Sequence, residues 1–424
     1  MIRRIAAGSV FAPIVFGFSS ALAASPGTSS STWPQWRGPQ RDGLCREKGL
    51  MTEWPEGGPP LAWKIEGLGK GYSSVSLTVD TIYTMGDRQD AQWVIALNRT
   101  THKERWAVKL GEPWGGNGPR CTPTVDDGRV YAIGPHGDLL CLEAASGKEL
   151  WRKDFKDDFD GRMMSGWGYS ESPLIDGPKL ICTPGGKDTA LVALDKKTGK
   201  LIFKSTVPDI GSKGKDGAAY SSAVVAEVGG IRQYVQLMGR GVVAVAADDG
   251  RFLWGYNRIA NPTANITTPL VAGDLVFCSS AYGTGGALLK LTATPNKGVK
   301  AEEVYFLESR HFQNHHGGVV LIDGHVYGGH GHNDGKPTCL ELKTGKILWQ
   351  DRGPGKGSAA ALYADGHLYF RYQDGLMALI RATPKELTVV STFKLASITG
   401  KSWPHPVIVD RKLYIRNRSW ISCQ

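Results

Sequence analysis

A ten-residue pattern that returns along the chain constrains this sequence more than any other feature. It reads Leu142-Glu143-Ala144-Ala145-Ser146-Gly147-Lys148-Glu149-Leu150-Trp151 and again Leu194-Asp195-Lys196-Lys197-Thr198-Gly199-Lys200-Leu201-Ile202-Phe203. Val245 to Trp254, with Asp249-Gly250-Arg251 at its centre, is another copy, and Leu342 to Trp349, with Thr344-Gly345-Lys346, is a shorter one. Glycine at a fixed place suits the positive-φ site of a hairpin turn, and the cation after it restarts a strand at the solvent edge. The aromatic at the end suits a buried strand position. Such ends fall at Trp63, Trp106, Trp151, Phe203, Trp254, Phe306, Trp349 and Phe393, spaced 43 to 52 residues apart. That period holds four short strands and their turns.

A second signal precedes each aromatic end: an alternating strand, a Gly/Asp turn and a further strand. Seven copies span eight residues between matching positions: Val75–Tyr83, Pro123–Tyr131, Pro173–Ile181, Pro269–Phe277, Val319–Tyr327, Ala361–Tyr369 and Pro406–Tyr414. An eighth, longer copy runs from Ala223 to Tyr234. The first aromatic strand, at Trp63, has no hairpin before it, and the last hairpin, from Pro406, has no aromatic strand after it. Pairing these two ends closes a ring and removes exposed strand edges. The expected fold is therefore all-β: an eight-bladed β-propeller of four-stranded blades, with the N-terminal strand completing the last blade. The 55 glycines among 424 residues, nearly twice the ordinary share of about 7%, agree with a chain built of turns.

The Asp195-x-x-Thr198-Gly199-Lys200 turn and the eight units resemble the pyrroloquinoline-quinone-type (PQQ-type) repeat family over residues 61–424. Two further stretches, Trp33-Pro34-Gln35-Trp36-Arg37-Gly38-Pro39 and Asn314-His315-His316-Gly317-Gly318, resemble the secreted bacterial members. The resemblance implies one of two functions. A quinoprotein dehydrogenase would hold pyrroloquinoline quinone near calcium in the funnel and oxidise an alcohol or sugar. Those enzymes commonly carry adjacent cysteines, and no Cys-Cys pair occurs here; Glu171 and Asn265 are the conceivable calcium ligands. A binding or scaffold propeller would instead present its surface to a protein, a glycan or a small polar solute, and this reading is preferred.

Residues 1–23 have the pattern of a secretory signal, with Arg3 and Arg4, an apolar run from Ile5 to Phe18, and Ala21-Leu22-Ala23 at the cleavage position. The expected product is an exported protein, periplasmic or extracellular and soluble after cleavage. Residues 24–60 form an N-terminal extension that packs on the propeller, with a ligand lid as the alternative for Trp33–Gly43. No other segment is apolar enough for a membrane span. The formal charge of +10 is spread along the chain rather than blocked, which, with export, argues against a nucleic-acid partner. The cysteines at 141, 339 and 423 hold matching places in separate blades, as do those at 182 and 278, so free thiols are expected.

Aligned on the hairpins, the positions three residues before each anchor are Tyr72, Arg120, Ser170, Tyr220, Ile266, His316, Ser358 and Trp403. Immediately before the anchors stand Ser74, Thr122, Ser172, Ser222, Thr268, Gly318, Ala360 and His405. Small hydroxyls suit the crowded axis, while the outer set offers aromatic, imidazole and guanidinium groups for a small polar ligand. The residues expected at one mouth are Arg120, Tyr169, Glu171, Tyr220, His315, His316, Lys356 and Trp403. Glu171 is the only acid of that set; it can ligate calcium, act as a base, or pair with Arg120, and the ion pair is the expectation. Six of ten histidines cluster between 311 and 332, and Glu171, His330 and His332 are candidate metal ligands. A surface with one acid among cations and rings favours a planar or anionic solute, or a carboxylate-bearing peptide, over a cation.

Overall fold

The computed structural model describes Met1 and residues 32–424, so the expected signal sequence lies, past Met1, outside the described residues. Eight four-stranded antiparallel sheets follow one another around a ring, and the seventh carries an additional parallel strand. Blade I runs outward from the axis as Ser76–Leu77, Thr81–Arg88, Ala91–Asn98 and Glu104–Gly111. The first strands of the next six blades are Thr124–Asp126, Leu174–Asp176, Val224–Val228, Leu270–Ala272, Val319–Ile322 and Ala359–Ala364. Blade VIII takes Val407–Val409, Lys412–Asn417 and Trp420–Cys423 from the C-terminal end and Trp63–Ile65 from the N-terminal end. Trp63 pairs with Cys423 and Ile65 with Ile421, so the chain closes its ring as the unmatched sequence ends require.

The recurring turn explains how the blades hold one another. Trp106 of blade I lies on Gly147 in the turn of blade II, and its Nε1 donates to Ala144 O at 3.0 Å. Trp151 repeats this one blade on, lying on Gly199 with Nε1 donating to Lys196 O at 3.2 Å. Gly199 has φ +68°, and a Cβ there would come within 2.8 Å of the Trp151 ring, so the position needs glycine twice over. Blade I carries His102 at the corresponding turn with φ 60°, and the Trp63 ring packs on that imidazole at 4.4 Å. The turn escapes the glycine pattern yet keeps its geometry: Asn98 Oδ1 accepts from Thr100 N and Thr101 N, as Asp195 Oδ1 does from Lys197 N and Thr198 N. Blade VIII lacks this turn because its outer strand comes from the other end of the chain. Gly58, at φ +98°, lies under Phe393 of blade VII in its place.

The extension does more than pack on the outside. Residues 33–45 run into the centre of the ring and bond to the innermost strands. Trp33 and Leu77 exchange two backbone hydrogen bonds at 2.8 Å, and Val125 N donates to Pro34 O at 2.7 Å. Arg41 donates to Ser172 O at 2.8 Å and Pro173 O at 3.2 Å. Arg37 donates to Val319 O and to Asp42 O. Leu44–Cys45 then joins blade VII as a parallel strand beside Tyr363 and Ala364. Blades I, II, III, VI and VII thus all hold one segment at the axis.

All seven cysteines are free and buried. No helix among the described residues is long and apolar enough to cross a membrane.

Where a terminal tryptophan bonds the next blade, as Trp106, Trp151 and Trp349 do, its loss costs contacts in two blades. Trp349 is 9% exposed and donates from Nε1 to Thr383 O at 2.8 Å. Trp349→Ala should lower the free energy of unfolding by about 3 kcal/mol in urea titrations. A loss below about 1 kcal/mol would show that the ring does not depend on this contact.

Candidate functional site

The residue before each anchor builds a ladder across the axis. Ser74 N donates to Thr122 Oγ1 at 3.2 Å, Thr122 N to Ser172 Oγ at 2.9 Å, Ser172 N to Ser222 Oγ at 3.0 Å, and Ser222 N to Thr268 Oγ1 at 3.4 Å. Each hydroxyl satisfies the buried amide of the preceding blade, which accounts for the small hydroxyls at this position. Ser74 Oγ donates onward to His405 O at 2.7 Å. The series breaks where the axial segment presses in: Gly318 faces the Arg37 guanidinium, and His405 meets the Trp36 ring edge-on at 4.5 Å.

Above this ladder lies a cavity of about 630 Å³, within the ordinary range for small-molecule sites. Its floor includes Trp36 and Arg37, so Trp33–Gly43 supplies a floor where a lid had been the alternative to simple packing. The Trp403 ring stacks on His316 at 4.2 Å and 23°, lies 4.6 Å from Tyr72, and carries the Lys401 ammonium 4.7 Å from its centre. Across the opening, Trp167 packs edge-on to Tyr220 at 5.9 Å, and Arg120 donates to Trp167 O. Tyr220 OH bonds Ser165 Oγ at 2.6 Å. His315 bonds Ser358 Oγ at 2.8 Å through Nδ1 and Tyr282 OH at 3.1 Å through Nε2.

Five of the eight residues expected at the mouth line this cavity: Arg120, Tyr220, His315, His316 and Trp403. Tyr169, Glu171 and Lys356 do not. Tyr169 turns into the core and donates to Pro184 O at 2.8 Å. Glu171 points between blades III and IV, where it accepts from Thr183 N at 2.7 Å, Thr183 Oγ1 at 2.9 Å and Gln236 Nε2 at 3.2 Å. It forms no ion pair with Arg120, contrary to expectation. Ser170 and Ser172 face the cavity, and alternation along an extended chain sends the residue between them the other way. Lys356 stands exposed on a loop outside the lining. The sequence ring also missed Trp167, Tyr282 and Lys401, which come from loops with no periodic signal.

The candidate metal ligands do not converge. His332 lines the cavity, His330 accepts from Gln313 N at 3.2 Å, and Glu171 lies in the blade interior. Asn265 donates to Met238 O and Gly239 O, both at 3.0 Å, and accepts from Asn261 N. Among the described residues, no three metal-ligating side chains are grouped to hold an ion. No aspartate or glutamate among the described residues lines the cavity. Calcium takes six to eight oxygen ligands, carboxylates prominent among them, so this lining does not fit a quinone–calcium pair. Its flat rings and its cations Arg37, Arg120 and Lys401 do suit a planar anion.

Burial keeps His315, His316 and His405 neutral. His315 and His405 are each lowered to about 3, chiefly by desolvation, with His332 and Lys401 acting on the first and Arg37 on the second. His316 is held well below its ordinary value for the same first reason. The fixed charge at the cavity therefore comes from Arg37, Arg120 and Lys401.

The family described as outer membrane protein assembly factor BamB matches residues 90–351. The chain belongs to the PQQ-type β-propeller repeat family. BamB of Shewanella oneidensis is 27% identical over 99 residues, 23% of this chain and 25% of its own length. The dehydrogenase subunit of the quinone alcohol dehydrogenase of Acetobacter aceti is 30% identical over 187 residues, 40% of this chain and 23% of its own length. The chain thus spans about a quarter of these curated relatives. Among solved structures, a europium-containing methanol dehydrogenase superposes with TM-score 0.65 at 13% identity, covering 91% of this chain and 89% of its own. BamB from Moraxella catarrhalis gives 0.59 at 13%, covering 86% and 96%. At such identity these likenesses show the fold alone.

Glu171 supplies a pH test of the interior. Burial, opposed by its bonds to Thr183 and by the charge of Arg41, raises its carboxyl from 4.5 to about 7. A raised folded-state value means the protonated form favours folding; that contribution is complete below about pH 4.5 and is lost as pH rises through 7. Urea unfolding at pH 5 and pH 8 should therefore show wild type losing more stability over the interval than Glu171→Gln. Equal losses would place the carboxyl in a more solvated setting.

Proposed function

We propose that this chain is an exported binding propeller whose funnel takes a small polar solute, with anionic and planar solutes preferred over cations. The observation that carries this reading is the lining: three cations and several flat rings around a cavity of about 630 Å³, with no carboxylate among them. Periplasmic or extracellular export accords with the signal pattern at residues 1–23 and with relatives that include an outer membrane assembly factor. A protein or glycan partner would use the outer faces of the blades.

The second reading is a pyrroloquinoline-quinone-dependent dehydrogenase acting on an alcohol or sugar. It draws support from the quinone alcohol dehydrogenase relative, and the lining counts against it, because neither a calcium-ligating carboxylate nor a carboxylate base reaches the cavity. The two readings separate in one assay series. Purified mature protein is supplied with the quinone and calcium, then assayed for dye-linked oxidation of alcohols and sugars; in parallel, small acids and amines are screened by tryptophan fluorescence. The binding reading expects responses to planar acids, loss of those responses in folded Arg120→Ala and Trp403→Ala variants, and no calcium-dependent turnover. Calcium-dependent dye reduction, or responses unchanged in both variants, would overturn it.

A further inference from the structure

Arg37 is a buried cation without an anionic partner. Its side chain is 7% exposed, it reaches the axis from the N-terminal segment, and one of its terminal nitrogens, Nη2, donates to Val319 O and Asp42 O. The other, Nη1, has no hydrogen-bond partner and lies against Gly318, which lines the cavity beside His405. Among the described residues no carboxylate forms an ion pair with Arg37: Asp42, the nearest acid in charge effect, gives its carboxylate to Arg46 at 2.7 Å and to Leu44 N at 3.0 Å. An uncompensated guanidinium in a poorly solvated place is costly, and its field is felt strongly in the adjoining cavity.

The groups around it deepen this imbalance. Arg371, fully buried behind His405, is satisfied by Ser402 Oγ, Pro404 O and Asn417 Oδ1 and likewise lacks an acid. His405 feels the charge of both guanidinium groups and is kept neutral by burial first and by Arg37 and Arg371 after it. Nearer the opening, Arg120 is committed to Trp167 O and Lys401 to the Trp403 ring. The rings that can sandwich a flat molecule, Trp403 with His316 on one side and Trp167 with Tyr220 on the other, stand above the Trp36–Arg37 floor.

We propose that the funnel takes a planar aromatic carboxylate acid end first, with the carboxylate settling over Gly318 and His405, above the Arg37 guanidinium, and the ring system held between the aromatic walls. This rests on the reading of the funnel as a binding site, and it makes the N-terminal segment part of that site. Nη1 is covered by Gly318, so the guanidinium acts on the carboxylate through its charge, across the thin Gly318–His405 side of the floor, rather than through a direct bond. Arg120 and Lys401 draw the anion in and contribute less to the bound state, because Lys401 is exposed and Arg120 half-buried, where solvent screens their charge.

Two measurements test this with 2-naphthoate, its neutral amide 2-naphthamide, and 6-bromo-2-naphthoate as probes. By calorimetry, wild type should bind the acid at least about tenfold more tightly than the amide, a preference that shrinks below about threefold in Arg37→Gln and persists in Arg120→Gln and Lys401→Gln. Arg37→Gln also removes bonds that hold the axial segment, so the second measurement uses unaltered protein. Crystals soaked in the bromo acid should show the bromine's anomalous signal at the rim beside Trp167, with the carboxylate over Gly318. Bromine on the floor beside Trp36, or an acid preference carried by Arg120 or Lys401 alone, would overturn the orientation and leave the binding reading standing. If neither probe binds wild type and no bromine enters the cavity, both the orientation and the binding reading fail.

Discussion

The ring is held by aromatic side chains lying across glycines in the turn of the next blade. Four junctions are made this way: Trp106 on Gly147, Trp151 on Gly199, Phe203 on Gly250 and Tyr305, where the sequence pattern pointed to Phe306, on Gly345. A flat ring can approach the backbone this closely only where no Cβ intervenes, and the same turn exposes a carbonyl that the indole N–H can reach. Trp106 on Gly147 and Trp151 on Gly199 show the contact complete, with both the packing and the hydrogen bond. Each contact ties two blades, so the stability of one blade is not its own. The ends of the chain keep the scheme with substitutes: His102 receives Trp63, and Gly58 receives Phe393.

A closed ring of eight blades leaves a void along its axis, and the chain fills part of it with its own N-terminal segment. The choice has electrostatic consequences. The innermost chain presents backbone carbonyls towards the axis, and Arg37 and Arg41 donate to three of them, Val319 O, Pro173 O and Ser172 O. Buried arginine is suited to this because its fork of donors meets more than one carbonyl while keeping its charge; both guanidinium groups are lowered only to about 10, mainly by burial, and stay protonated at neutral pH. The structural need for donors at the axis thus produces a positive floor under the cavity. Axial filling and the positive floor are consequences of one threaded segment.

The architecture was legible in the sequence because repetition fixes register. Matching anchors eight residues apart gave the hairpins, and the unpaired strand at Trp63 gave the closure. The same alignment found Arg120, Tyr220, His316 and Trp403, since residues three before each anchor share one radial position. It erred where it moved one residue along the strand: Tyr169 and Glu171 flank Ser170, and the pleat turns both inward to the blade core. Loop residues such as Trp167 and Lys401 carry no period and could not be placed. The Trp33–Gly43 motif was visible as an unusual run of rings and guanidinium groups, but its path through the axis depends on contacts to strands more than 280 residues away in sequence, as with Arg37 and Val319.

A positive floor under the cavity requires the axial segment to be a fixed part of the folded ring. Native-state hydrogen exchange on the free protein reads this directly, because Trp33 N donates to Leu77 O and Gly43 N to Arg37 O, both deep in the ring. The amides of Trp33, Gly43 and Leu44 should exchange as slowly as those of the innermost strands, opening only when the propeller opens. Exchange of these amides at the rates of exposed loops, with the inner strands still protected, would mean that the segment is not seated at the axis, and neither the floor nor its charge would then belong to the cavity.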